Sequence, residues 1–169
     1  MLYPLSYGGS GGTTVPAGRA YAGSVADRVA RVLVVDDTAN VRALIRLNLE
    51  LEGLEVHVAC DGLQALEIVG SIAPDIITMD VMMPGMDGLS AATRLKSMPE
   101  TAAIPIVMVT ARAQAVDRRA GRDAGVDAYL TKPFEPDELV ATVLGLLPDE
   151  LRPATSPDGP GGSVPDQGW

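Results

Sequence analysis

The chain has 169 residues, 47% of them apolar, with a formal net charge of -9 and a pI near 4.5. This length predicts one domain with a sizeable core, and the acidity argues against direct nucleic-acid binding, which needs a basic face to displace counterions from phosphates. The single cysteine, Cys60, excludes an internal disulfide and any multi-cysteine metal site. Residues 1–24 lack the basic and then apolar pattern of a signal peptide, and no run approaches the roughly 18 apolar residues of a membrane span. A cytoplasmic protein without membrane contact is expected.

Composition changes at both ends. Residues 1–28 carry Ser6-Tyr7-Gly8-Gly9-Ser10-Gly11-Gly12-Thr13-Thr14, and 148–169 spread Pro148, Pro153, Pro157, Pro160 and Pro165 among glycines. Neither segment can bury enough apolar surface to offset its ordering entropy, so both are expected to be disordered, around a folded domain at 29–147. Residues 31–147 hold 10 basic and 17 acidic side chains, so the acidity belongs mainly to the folded body.

Within that body the apolar period alternates between strand-like runs and helix-like spacing, as in successive βα units, five in all. Val32-Leu33-Val34-Val35 ends at Asp36-Asp37. Thr38 is positioned to cap a helix whose apolar face is Val41, Leu44, Ile45 and Leu49, ending near Gly53. Glu55-Val56-His57-Val58-Ala59 alternates polar and apolar residues, which suits an edge strand. Ala65, Leu66, Val69 and Ala73 mark a second helix. The uniformly apolar Ile76-Ile77-Thr78-Met79 and Ile106-Val107-Met108-Val109, ending at Asp80 and Thr110, suit central strands covered on both faces. Between them Leu89, Ala92 and Leu95 mark a third helix. A fourth, roughly 114–124, has only Val116, Ala120 and Ala124 on its apolar face and contains Gly121, so it is expected to be the least firmly held element. Ala128-Tyr129-Leu130-Thr131 ends at Lys132-Pro133, and a fifth helix follows with Leu139, Val140, Val143, Leu144 and Leu147, closed by Pro148.

If the runs are parallel strands, Asp36, Asp37, Asp80, Thr110 and Lys132 meet along the carboxyl edge of one sheet, where open α/β folds bind ligands. These residues, with the string Met79-Asp80-Val81-Met82-Met83-Pro84-Gly85-Met86-Asp87-Gly88, the Thr110-Ala111 step and Tyr129-Leu130-Thr131-Lys132-Pro133-Phe134, resemble the receiver domain of bacterial two-component response regulators. The resemblance covers about residues 31–147 and implies a doubly wound, flavodoxin-like α/β fold with a five-stranded parallel sheet in the order 2-1-3-4-5.

Three carboxylates within about 4 Å would repel by roughly 4 kcal/mol per pair at an effective dielectric near 20, so the cluster calls for a divalent cation or a raised pKa. An oxygen-only set fits Mg²⁺. The resemblance implies that Asp37 and Asp80 are direct ligands with the backbone carbonyl of Met82, and that Asp36 acts mainly through bound water. Asp80, the single acid at the end of a central strand, is the candidate nucleophile. By resemblance it accepts a phosphoryl group from a histidine kinase or a histidine phosphotransfer protein. Lys132, one of two lysines among 13 basic residues, would neutralise a phosphoryl oxygen, and the resemblance implies a cis bond to Pro133 that orients it inward. The resemblance further implies that Thr110 moves toward the phosphoryl group, that Ala111 leaves it room, and that Tyr129 turns inward behind Thr110. The altered face would be the fourth helix, fifth strand and fifth helix, docking a downstream protein.

Other positions read more plainly. His57 suits a solvated edge residue, Arg118, Arg119 and Arg122 a solvated helix face, and Trp169 an unstructured tail. Met79, Met82, Met83 and Met86 suit packing and loops, with Met82 placed to tune water access. An aspartyl-nucleophile phosphohydrolase would carry Asp-x-Asp at the first strand end, whereas Asp36 and Asp37 are adjacent. A receiver-like module that is never phosphorylated is the other alternative, against which stands the complete acid, Thr110 and Lys132 set. The 22 residues after Leu147 lead to the expectation of a stand-alone receiver acting through protein contacts, either as a phosphorylation-dependent partner switch or as a shuttle toward a histidine phosphotransfer protein.

Overall fold

A computed structural model of the chain describes residues 28–111 and 123–153. Both expected tails, apart from Arg28 and residues 148–153, lie outside the described residues. So do most of the expected fourth helix and Arg118, Arg119, Arg122 and Trp169.

The described elements run β1 (Arg31–Val35), α1 (Ala39–Leu51), β2 (Glu55–Ala59), α2 (Gly62–Ile72), β3 (Ile76–Asp80), α3 (Gly88–Ser97), β4 (Ile106–Thr110), β5 (Ala128–Thr131) and α4 (Pro136–Leu146). Here α4 is the fifth helix of the sequence reading. The five strands pair in parallel in the order β2-β1-β3-β4-β5. The three central strands carry the nearly unbroken apolar runs of the sequence, with Thr78 the one polar side chain inside them. On one face Leu33, Val35, Ile77, Met79, Ile106 and Met108 pack under Ala65 and Val69 of α2 and Ala91, Ala92 and Leu95 of α3. On the other, Val32, Val34, Ile76, Val107 and Val109 pack under Ile45 and Leu49 of α1 and Leu139 and Val143 of α4. This two-sided cover is what continuous apolar strands require.

The outer strand β2 carries the alternating sequence, and its Glu55 carboxylate lies 2.7 Å from His57 Nε2 at the exposed edge. Two aspartates start helices. Asp61 accepts a 2.8 Å hydrogen bond from the Gln64 amide, and Asp87 accepts one of 2.9 Å from Ser90, satisfying first-turn N–H groups that lack helical partners. Lys96 joins α3 to the far end of the sheet through the Ile104 carbonyl at 2.8 Å and Asp127 at 3.0 Å, while Asp127 also accepts from the Ile106 amide.

Three local expectations change. Thr38 occupies the N-cap position of α1, but its hydroxyl makes no cap bond and instead reaches Asp37 Oδ1 at 3.4 Å. Leu44 is not in the core; it is 46% exposed, because Ile45 and Leu49 fill the stripe that faces the sheet. The folded chain also passes Leu147. Residues Asp149–Leu151 form a 3-10 turn that buries Leu151 against the α1 and α4 face, and Arg28 pairs with Asp75 at 2.6 Å.

Candidate functional site

The carboxyl ends of β1, β3, β4 and β5 bring Asp36, Asp37, Asp80, Thr110 and Lys132 to one edge of the sheet. One oxygen each from Asp36, Asp37 and Asp80 lies within 4.8 Å of the others. The three acids differ in environment. Asp36 is buried and held on every side: its amide donates to the Ala59 carbonyl at 3.2 Å, Oδ1 accepts from the Thr38 amide at 2.8 Å, and Oδ2 accepts from Lys132 Nζ at 2.7 Å. Its own carbonyl accepts from Arg42. Asp37 is exposed. Asp80 is buried, accepts from the Met82 amide at 3.2 Å through Oδ1, and meets Lys132 Nζ at 3.1 Å through Oδ2.

Lys132 thus bridges two carboxylates from separate strand ends. The Lys132–Pro133 bond is cis, and the Lys132 amide donates to the Thr110 carbonyl at 2.8 Å. Burial raises the Asp80 carboxyl above its ordinary range; the neighbouring Lys132 ammonium opposes that rise without cancelling it. For Lys132, burial alone would lower the pKa, but the hydrogen bond and charge of Asp36, with those of Asp80, outweigh it and leave the ammonium raised. Lys132 is therefore charged at neutral pH, and its charge favours the ionised form of Asp80.

Thr110 is buried at the end of β4, paired in register with Thr131 of β5. Tyr129 is half-buried on the outer strand, opposite Met108. Ala111 is exposed beside the crevice, and Met82 stands at its mouth with 66% of its surface exposed. A cavity of about 440 Å³ adjoins the site, lined by Val41, Leu44, Ala111, Lys132, Pro133 and Phe134.

Two further residues shape the site. Gly88, the first residue of α3, sits against the backbone leaving β3: a Cβ there would lie 2.0 Å from the Asp80 carbonyl oxygen, and its amide donates to the Val81 carbonyl at 3.0 Å. Asp87-Gly88 signals a helix start in sequence, but nothing local reveals this close approach. Arg42 reaches back from α1 to the Asp36 carbonyl, and a lone arginine on a helix carries no signal of that contact.

The response regulator receiver domain model matches residues 32–144. RpaA of Synechocystis sp., described as a DNA-binding dual master transcriptional regulator, is 40% identical over 117 residues, 69% of this chain and 48% of that protein. Response regulator MprA of Mycolicibacterium vanbaalenii is 44% identical over 134 residues, 79% of this chain and 55% of that protein. The chain spans about half the length of these curated relatives. Among solved structures, the chemotaxis protein CheY4 of Vibrio cholerae aligns with a TM-score of 0.69 and 32% identity, covering 71% of this chain and 100% of that one. The receiver domain of a Francisella response regulator aligns with a TM-score of 0.64 and 34% identity, covering 69% and 95%. Fold, strand order and family match agree, and the chain belongs to the response regulator receiver family of two-component signalling proteins.

Proposed function

We propose that Asp80 accepts a phosphoryl group from the phosphohistidine of a sensor histidine kinase or histidine phosphotransfer protein, and that the resulting charge alters a protein-docking face. The observation that carries this reading is the Lys132 bridge, with Nζ 2.7 Å from Asp36 and 3.1 Å from Asp80, beside an Asp37 carboxylate open to solvent. A buried nucleophilic carboxylate, a fixed cation and a free acid ligand are what acyl-phosphate formation needs.

The oxygen-only donor set fits Mg²⁺, with Asp37, Asp80 and the Met82 backbone carbonyl as direct ligands and Asp36 acting through water. Bound there, the ion would offset charge on the carboxylate and phosphoryl oxygens. Asp36 suits the indirect role because its carboxylate oxygens are held at 2.8 Å by the Thr38 amide and 2.7 Å by Lys132, closer than the 3.2 and 3.1 Å contacts of Asp80. In the transfer, an Asp80 carboxylate oxygen attacks phosphorus, the donor's nitrogen–phosphorus bond breaks, and the imidazole leaves with the bonding pair and takes up a proton. Lys132 holds Asp80 toward its ionised form beforehand and then turns its charge to a phosphoryl oxygen. Ala111 leaves space, and Met82 sets how readily water reaches the phosphoryl group.

The partner has to bring an imidazole onto Asp80, and the rim is suited to contact: Leu44 is 46% exposed beside the cavity formed with Phe134 and Pro133. On the output side, Thr110 would move toward the phosphoryl group and Tyr129 would turn inward, repacking β5 and α4. That is a population shift between two packings. Among the described residues no helix is long and apolar enough to cross a membrane. We place the domain in the cytoplasm and assign it no nucleic-acid contact and no turnover chemistry beyond its own phosphorylation and dephosphorylation.

The test is incubation with Mg²⁺ and acetyl phosphate, followed by intact mass. The wild-type chain should gain one phosphoryl unit and Asp80→Asn none. Labelling that persists in Asp80→Asn would remove the assignment.

A further inference from the structure

Arg42 stands where a helix does not favour a cation. It lies one turn into α1, its amide donating to the Thr38 carbonyl at 3.0 Å. The amino end of a helix carries partial positive charge, so an anion is favoured there and a cation is not. The first turn of α1 contains no acid to compensate, and Thr38 makes no side-chain cap. Arg46, one turn further on, does what an exposed helical arginine ordinarily does and pairs with Glu50 at 2.7 Å. Arg42 instead folds back past the start of the helix, and its Nη1 donates to the main-chain carbonyl of Asp36.

That carbonyl belongs to the peptide group joining Asp36 to Asp37, so whatever holds it also sets the direction in which the Asp37 side chain departs. Asp36 has its own side-chain anchors in Thr38 and Lys132. Asp37 is exposed, and the Thr38 hydroxyl approaches its carboxylate only at a long 3.4 Å. Its placement toward Asp80 therefore depends on the backbone.

We propose that Arg42 is a positioning residue: by clamping the Asp36 carbonyl, it aims the Asp37 carboxylate at the site shared with Asp80, where a divalent cation binds. This rests on reading the crevice as a Mg²⁺ site. Two effects of Arg42 on that site have opposite signs. Its charge, taken alone, repels a cation, so losing the charge would tighten metal binding. Losing the clamp would weaken it.

The experiment is calorimetric titration with MgCl₂ of the wild-type chain, Arg42→Met, which keeps the apolar stem but no donor, and Arg42→Lys, which keeps a donor and the charge. Outer-sphere partners of metal ligands typically contribute 10- to 100-fold in affinity, so Arg42→Met should bind Mg²⁺ about tenfold more weakly. Arg42→Lys should stay within about threefold of wild type, and all three should melt at similar temperatures, since Arg42 is only half-buried. A metal-free readout accompanies it. Exchange of the Asp37 and Thr38 amides should quicken in Arg42→Met and not in Arg42→Lys, while amides of α2 stay unchanged. Equal or tighter Mg²⁺ binding by Arg42→Met, or equal weakening by both variants, overturns the proposal. If the wild-type chain takes up no Mg²⁺ that Asp80→Asn abolishes, the reading of the crevice falls with it.

Discussion

Replacing Lys132 with methionine removes the ammonium that touches both Asp36 and Asp80 while keeping most of the side-chain volume. At 2.7 and 3.1 Å the two contacts are each worth about 5 to 6 kcal/mol of Coulomb attraction at an effective dielectric near 20, before desolvation is subtracted. The lysine side chain is 19% exposed and its partners 1% and 7%, so both attraction and desolvation are substantial. Breaking a buried pair by deleting one partner typically costs about 3 to 5 kcal/mol. Asp80 limits the loss, since its carboxyl is already raised by burial and can take up a proton once the ammonium is gone. We therefore expect about 3 kcal/mol at neutral pH in metal-free buffer, or a Tm lower by about 10 °C for a domain of this size. The sign of the pH dependence follows. A carboxyl raised in the folded state binds its proton more tightly there than when unfolded, so it favours folding at low pH, and that advantage is lost as pH rises through the raised pKa. Lys132→Met raises it further, so the Tm gap to wild type should narrow on acidification. Saturating Mg²⁺ should lift the variant's Tm more than the wild type's, because the cation replaces the missing charge. Scanning calorimetry with chelator and then with Mg²⁺, at neutral and mildly acid pH, measures all of this. An unchanged Tm for Lys132→Met in chelator at neutral pH would refute the reasoning.

Gly88→Ala should lower stability by about 3 kcal/mol, the upper range for overpacking, because its Cβ would overlap the Asp80 carbonyl at 2.0 Å. Gly145→Ala in α4, where nothing lies within 4 Å of the new Cβ, should stabilise by about 0.5 to 1 kcal/mol. Urea unfolding distinguishes the two, and equal effects would contradict the close approach. Thr78 is the buried side chain whose hydroxyl has no hydrogen-bond partner among the described residues, lying in β3 between Val34 and Val107. Thr78→Val should be neutral or stabilising by about 1 kcal/mol in the same assay, and a loss of that size would mean the hydroxyl is paired.

Much of the fold was legible because its signals are local or periodic. β1, β3 and β4 are short, largely apolar runs that stop at a polar residue. β2 alternates because an outer strand has a wetter face, and the β1, β3 and β4 runs are almost wholly apolar because helices cover both sides of them. The order of strands and the individual roles of the acids came from resemblance to a family, not from the pattern of apolar residues. Helical periodicity was less decisive. It admits both Leu44 and Ile45 to the apolar face of α1, and only packing against the sheet shows that Ile45 is buried while Leu44 stands 46% exposed.

By itself, the sequence determined which residue types reach the carboxyl edge: Asp36, Asp37, Asp80, Thr110 and Lys132 are each fixed there by where an apolar run stops. Tertiary structure alone decided how they are held. Lys132 bridges Asp36 and Asp80 across 96 residues of chain in one case, Gly88 admits the backbone of Asp80, Arg42 turns away from its own helix to the Asp36 carbonyl, and Leu151 closes the core beyond Pro148. Strand ends follow from short-range burial and periodicity, whereas these contacts depend on approaches of a few ångströms between segments, which become defined only when the sheet and its helices pack.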